Sequence, residues 1–141
     1  MWRLVAPALI AALLSGGTVR GEVREGALGV ATREIIEAFQ RGDFRRFEKH
    51  LGDRVEILVD TNLSDADPPA NHDRVRLRSR AAARRWFDKQ TLFDLRFGRV
   101  VRCRDDCCSL GLPESRGDVQ HYLQQVCFAP DLTVRRMKWE D

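Results

Sequence analysis

Residues 28–59, LGVATREIIEAFQRGDFRRFEKHLGDRVEILV, carry two helical periods and then a strand period. Leu28, Ala31, Ile35, Ala38 and Phe39 recur at helical spacing, and Ile36 widens the stripe. Gly42 stands where a helix C-terminus takes a left-handed residue. Asp43 follows as the N-cap of a second, short helix, on which Phe44, Phe47 and Leu51 share a face until Gly52 ends it. The period then falls to two. Val55, Ile57 and Val59 alternate with Glu56 and Leu58, which predicts a strand with one face in the core.

Toward the C-terminus, residues 60–73, DTNLSDADPPANHD, read as a loop of prolines, asparagines and aspartates. Arg74-Val75-Arg76-Leu77-Arg78 alternates again, a strand with arginines on its wet face. Ser79 caps a third helix through Ala81, Ala82, Ala83, Trp86 and Phe87. Strands are expected over Phe93–Cys103, Val119–Phe128 and Leu132–Trp139, with a loop over Asp105–Gly117 and a turn at Pro130-Asp131. A parity slip between Val134 and Met137 predicts a bulge near Arg135–Arg136. Helices in the first half and a run of antiparallel strands afterwards describe an α+β domain over residues 28–141, with three helices and a mostly antiparallel sheet.

Toward the N-terminus the chain has a different character. Arg3 precedes an apolar run from Leu4 to Leu14, and Ser15, Gly16, Gly17 and Thr18 follow it. That is the three-part form of a secretory signal peptide, expected to cover residues 1–21, with 22–27 as a polar leader. The run is shorter than the ~20 apolar residues a membrane-spanning helix needs, and no other segment reaches that length. A secreted or periplasmic protein is therefore expected. Removing Arg3 and Arg20 lowers the formal charge from +3 to +1, too little for a general nucleic-acid footprint.

Cys103, Cys107, Cys108 and Cys127 agree with export, because an even count in an exported chain reads as disulfides. The spacing lacks the paired C-x2-C knuckles of a zinc site. Bridging the neighbours Cys107 and Cys108 would force a strained ring. Two pairings remain: Cys103–Cys107 with Cys108–Cys127, or Cys103–Cys108 with Cys107–Cys127. In both, Cys127 is bridged to the Cys107/Cys108 pair, and the rival is a direct Cys103–Cys127 bridge.

Three stretches carry a family resemblance. Ala38-Phe39-Gln40-Arg41-Gly42-Asp43-Phe44 is similar to the helix–Gly-Asp–helix junction of the nuclear transport factor 2-like superfamily, a cone-shaped α+β fold of the cystatin-like type. Leu51-Gly52-Asp53-Arg54-Val55-Glu56-Ile57 is similar to its approach to the first strand. Arg78-Ser79-Arg80-Ala81-Ala82-Ala83-Arg84-Arg85-Trp86-Phe87 is similar to its third helix, without the glycine common at that start. The resemblance covers residues 28–139; the cysteines lie outside the general pattern and mark an exported branch. It implies a sheet curled around the long helix and a conical pocket, with Phe39, Trp86, Phe97 and Tyr122 as lining candidates. Some members are isomerases or dehydratases, many only bind or pair as dimers, and fold alone does not choose.

The isomerase-type members use a carboxylate base after the first strand and a tyrosine donor. Asp60 lies near the first place, although its offset from Asp53 is longer than that motif has. A carboxylate held dry there abstracts a proton; one in a loop caps a turn. The sole tyrosine, Tyr122, belongs to a late strand, so the donor does not carry over. His50, His72 and His121 form no H-x-x-x-H pair, and Asp65, Asp67, His72 and Asp73 do not match a calcium loop. No metal and no cofactor are expected. Arginine outnumbers lysine 21 to 3. Arg74, Arg76, Arg78, Arg80, Arg84 and Arg85 gather positive charge around the second strand and third helix, which is either an anion-pairing patch or a solvated face.

The sequence thus describes an exported binding or interaction module. Its partner would be an unknown small molecule or protein, with no nucleic acid and no membrane span, and it is a possible homodimer through its sheet face. The alternative is a small-molecule isomerase or hydro-lyase with Asp60 as base. Mass spectrometry of exported protein is expected to show a new N-terminus at residue 18 or 22; an intact Met1 would overturn the compartment reading.

Overall fold

A computed structural model describes residues 16–60, 72–93, 95–114 and 121–140. The apolar run Leu4–Leu14, the interior of the 60–73 loop and residues 115–120 lie outside it. Helix α1 spans Gly16–Arg41 and α2 spans Phe44–Glu48, followed by strands β1 (Leu51–Asp60) and β2 (His72–Leu77). Helix α3 covers Arg80–Gln90, and β3 (Val100–Arg104), β4 (Cys107–Leu110), β5 (Tyr122–Phe128) and β6 (Val134–Glu140) complete the chain. The α+β class holds, with a six-stranded sheet in the order β2-β1-β6-β5-β4-β3. All neighbours are antiparallel except β1 and β6. The expected curl of the sheet around the long helix is not found: the sheet is open, neither closed nor strongly curled, with β2 and β3 as its two edges.

The junction at residues 38–46 is built as its residue types require. Gly42 has φ +63°, and its amide donates to Phe39 O at 3.3 Å while the Asp43 amide donates to Ala38 O at 2.9 Å. These two bonds close α1 in a Schellman motif. The Asp43 side chain then accepts from the Arg46 amide and starts α2. Ser79 caps α3 in the same way, through Ala82. At its other end α1 begins well before the expected Leu28, and residues 22–27 are helical. Arg24 anchors this first part: its guanidinium donates to Asp106 Oδ1 at 2.8 Å and to the carbonyls of Ala129 and Pro130, both at 3.1 Å.

The helices cover one face of the sheet. Val55, Ile57, Leu77, Cys108, Val126 and Met137 turn inward with α1, α2 and α3 and are buried. Their alternates face outward, as a period of two demands. The expected bulge is present. Cys127 lies opposite Arg136 and Phe128 opposite Val134, which leaves Arg135 as the extra residue on β6.

Two further expectations change. The strand read over Phe93–Cys103 is confined to Val100–Arg104, and before it only the bridge Arg96–Tyr122 forms. Gly98 accounts for this: a Cβ there would lie 1.9 Å from the Gly111 carbonyl oxygen, so the chain crosses close to residue 111 instead of running on in the ladder. The 105–117 loop, in turn, contains β4. Asp105 and Asp106, with φ of 52° and 65°, form a two-residue turn of the mirror-image kind that matches strand twist. Asx residues tolerate that conformation, but two aspartates followed by two cysteines hide the hairpin from a hydropathy reading.

The tight turn decides the disulfides. It sets Cys103 opposite Cys108, and β4–β5 pairing sets Cys107 opposite Cys127. The bridges are Cys103–Cys108 and Cys107–Cys127. Because Cys107 and Cys108 point to opposite faces, Cys103–Cys108 packs on the core and Cys107–Cys127 lies on the outer face. Cys127→Ser opens the bridge of separation 20 and is expected to cost about 3 kcal/mol, or roughly 10 °C in Tm. Peptide mapping of that variant should still recover Cys103 linked to Cys108.

Candidate functional site

The interior between helices and sheet is filled by rings. Phe39, near the end of α1, is 4% exposed. Its ring centroid lies 5.0 Å from Phe47, 4.9 Å from Phe87, 5.8 Å from Trp86, 6.0 Å from Phe97 and 5.4 Å from Trp139. Tilted and edge-on pairs at these distances gain beyond their buried area. Three of the four lining candidates, Phe39, Trp86 and Phe97, thus meet in one packed cluster. Phe97 also borders an open groove with Gln40 and Pro113. Tyr122 is placed elsewhere. By alternation it stands on the face opposite Leu123, and its hydroxyl donates to Glu140 Oε2 at 2.6 Å. Gln124 donates to the same oxygen.

At the edge of this cluster His121 stacks on Trp139, with centroids 5.0 Å apart and rings 9° from parallel. A ring nitrogen of His121 lies 2.9 Å from Gln90 Oε1, on buried Gln90 of α3. Trp139 is fully buried, and its indole Nε1 has no acceptor among the described residues. Asp60 ends β1 opposite His72 and Glu140; the side chains of Asp60 and His72 lie outside the described residues. His50 is held by Glu34 Oε2 at 2.7 Å, beside Lys49 at 3.8 Å from the same oxygen. Among the described residues, no three His, Cys, Asp or Glu side chains converge.

The outer face has a different chemistry. The register sets Arg136 of β6, Glu56 of β1 and Arg76 of β2 side by side in one row, and Lys138, Leu58 and Arg74 in the next. Glu56 lies 3.2 Å from Arg136 and 3.9 Å from Arg74. Beside it Arg54, Arg76, Arg78 and Arg135 line a shallow cleft of about 250 Å³. None of these four has an acidic partner among the described residues. Clustered guanidinium groups with one shared carboxylate leave a positive potential that suits carboxylate or phosphate oxygens.

The structure divides the arginines gathered by the sequence. Arg74, Arg76 and Arg78 belong to this face, whereas Arg80 is paired with Glu48 at 2.8 Å and Arg84 with Asp88 at 3.2 Å. Arg84 also lies over the Phe44 ring, and Arg85 stands exposed on α3. Arg54 and Arg135 were not singled out by sequence. Arg54 was legible as the outward neighbour in the alternation Arg54-Glu56-Leu58, but Arg135 reaches the cleft only through the bulge. A second groove, about 630 Å³, runs between α1 and β3, where Arg33 and Arg99 stand with Glu34 and Glu37 and the charges balance.

No protein-family model, no curated protein and no solved structure matches the chain.

The two regions predict opposite responses to substitution. Phe39→Ala is expected to destabilise the fold by about 3–5 kcal/mol in chemical denaturation, since the ring is enclosed on every side. Arg76→Gln, on the exposed face, is expected to stay within about 0.5 kcal/mol of the parent.

Proposed function

We propose that the chain is a non-catalytic binding module of an oxidising, extracytoplasmic compartment, and that it meets its partner on the outside of its sheet. The observation that carries this reading is the contrast between the two sides. The inside is occupied by the rings around Phe39, and the outside presents guanidinium groups that have no acidic partner among the described residues. The two disulfides point to an oxidising compartment, and the signal-peptide form of residues 1–21 supports export. Among the described residues no helix is long and apolar enough to cross a membrane.

The nuclear transport factor 2-like resemblance belongs to the same proposal. It is supported by the order helix, helix, strand, strand, helix and then strands, and by the Gly42-Asp43 junction closing as a helix–helix corner. The cationic outer face argues against pairing of two identical copies through it, because like charges directly opposed destabilise a sheet contact.

One observation favours the second reading, an interior small-molecule site with Asp60 as base. It is the buried Trp139 Nε1 without an acceptor, since an unsatisfied buried donor costs about 1–3 kcal/mol unless a ligand or water meets it.

Titration with a neutral apolar dye, Nile red, under native conditions separates the two. The binding-module reading expects dye emission to stay at its aqueous value and tryptophan fluorescence to be unchanged. Saturable, blue-shifted binding with quenching of tryptophan would replace it with the interior site.

A further inference from the structure

We propose that β2 is a docking edge for an extended segment of a partner polypeptide that carries acidic side chains at every second position. This rests on the surface-binding reading and names the chemistry of the partner.

Strand β2 is the outermost described strand on its side of the sheet, with β1 on one flank only. An antiparallel strand points alternate backbone N–H and C=O groups away from its neighbour, so the outer edge of β2 offers a ladder to an incoming chain. Its side chains set the sequence that chain must have. Arg74 and Arg76 stand on the outer face two residues apart, and Arg78 continues the parity just beyond the strand. Two residues of strand span about 6.6–6.8 Å, the spacing of alternate side chains on any added strand.

The sheet already shows the pattern that such a segment would extend. Across one row the charges run Arg136, Glu56, Arg76, positive, negative, positive, and the next position belongs to the incoming strand. A carboxylate there faces Arg76, which has no acidic partner among the described residues, with Arg54 and Arg78 beside it. The neighbouring row ends on Arg74, whose contact with Glu56 is 3.9 Å, long beside the 3.2 Å of Arg136. Between the two arginines Val75 turns to the other face and is 38% exposed, so the intervening residues of the segment meet an apolar or β-branched surface.

The charge pattern excludes other occupants. A second copy pairing through β2 would set arginine against arginine. The opposite edge, β3, also carries alternating Arg102 and Arg104, but Arg104 lies 3.5 Å from Asp105 and the turn adds Asp106, so that edge is partly neutralised at its tip.

The test uses the full, oxidised protein with two peptides of one composition, Glu-Thr-Glu-Val-Glu-Thr-Glu and Glu-Glu-Glu-Glu-Thr-Val-Thr. Low-molecular-mass heparin is the third probe. Amide shifts are followed by NMR and affinity by calorimetry, at low and at physiological ionic strength. The alternating peptide is expected to bind at least about tenfold more tightly than its blocked isomer, with shifts centred on residues 74–77. Arg76→Glu is expected to weaken it by a further factor of about ten or more while leaving Tm unchanged, and Arg76→Lys to retain much of the binding. Equal affinity for the two peptides would overturn the proposal in favour of a patch that senses charge alone. Heparin binding without peptide binding would assign the face to a polysaccharide and overturn it as well, as would the absence of binding by any probe. Failure here leaves the dye experiment unmoved, and entry of the dye into the interior would overturn the surface reading whatever the peptides do.

Discussion

Phe39 is the point at which the helices and the sheet meet. It lies on the last turn of α1, three residues before the glycine that ends the helix, and touches rings contributed by α2, α3 and β6 together with Phe97. A ring in that place holds three helices at fixed distances from one face of the sheet. Everything outward-facing is then sorted by the strand period, because a strand with one side committed to the core has no freedom in the other. The cationic face is a consequence of that packing as much as of the arginines themselves.

The second organising element is the turn at Asp105-Asp106. It fixes the register of β3 on β4, which sets each pair of cysteines opposite each other. It is also tied into the rest of the molecule. Asp106 accepts from Arg24 of α1, and its carbonyl accepts from the Phe128 amide at 2.8 Å. Arg24 reaches on to the β5–β6 turn, where Asp131 accepts from the Thr133 hydroxyl at 2.6 Å and its amide at 3.1 Å. Those bonds hold the Asp131 carboxyl below the usual carboxylate range, the hydroxyl contributing most. One arginine side chain thus joins the start of the long helix to two turns at the same end of the sheet.

Covalent links and charge divide the sheet into two working halves. Strands β3, β4 and β5 are joined by a bridge on each face, and their hairpin tip carries acid as well as base. Strands β6, β1 and β2 have no bridges and carry the rows of alternating charge that end at an open edge. The first half is covalently restrained, and the second presents arginines that have no acidic partner among the described residues. This division gives the α+β domain a directional surface.

The helix and strand periods, the Gly42-Asp43 corner, the Ser79 cap and the bulge near Arg135 were legible in the sequence, because each follows from residues within a turn or two of one another. The bridging of Cys127 to the adjacent pair followed from the strained ring that excludes Cys107–Cys108. Three features depended on distant residues and needed the tertiary structure. The start of α1 at Gly16 goes with the tether of Arg24 to carbonyls more than a hundred residues away. The end of the long strand read before Val100 depends on Gly98 crossing against Gly111. The choice between two disulfide pairings depended on a turn whose two aspartates carry no hydrophobic signal. For the candidate surface, the arginines of β2 were visible as a strip, but a strip on one strand is only a solvated face. It was the parallel pairing of β6 beside β1, which no local pattern encodes, that set Arg136, Glu56 and Arg76 in one row and brought Arg135 beside Arg54.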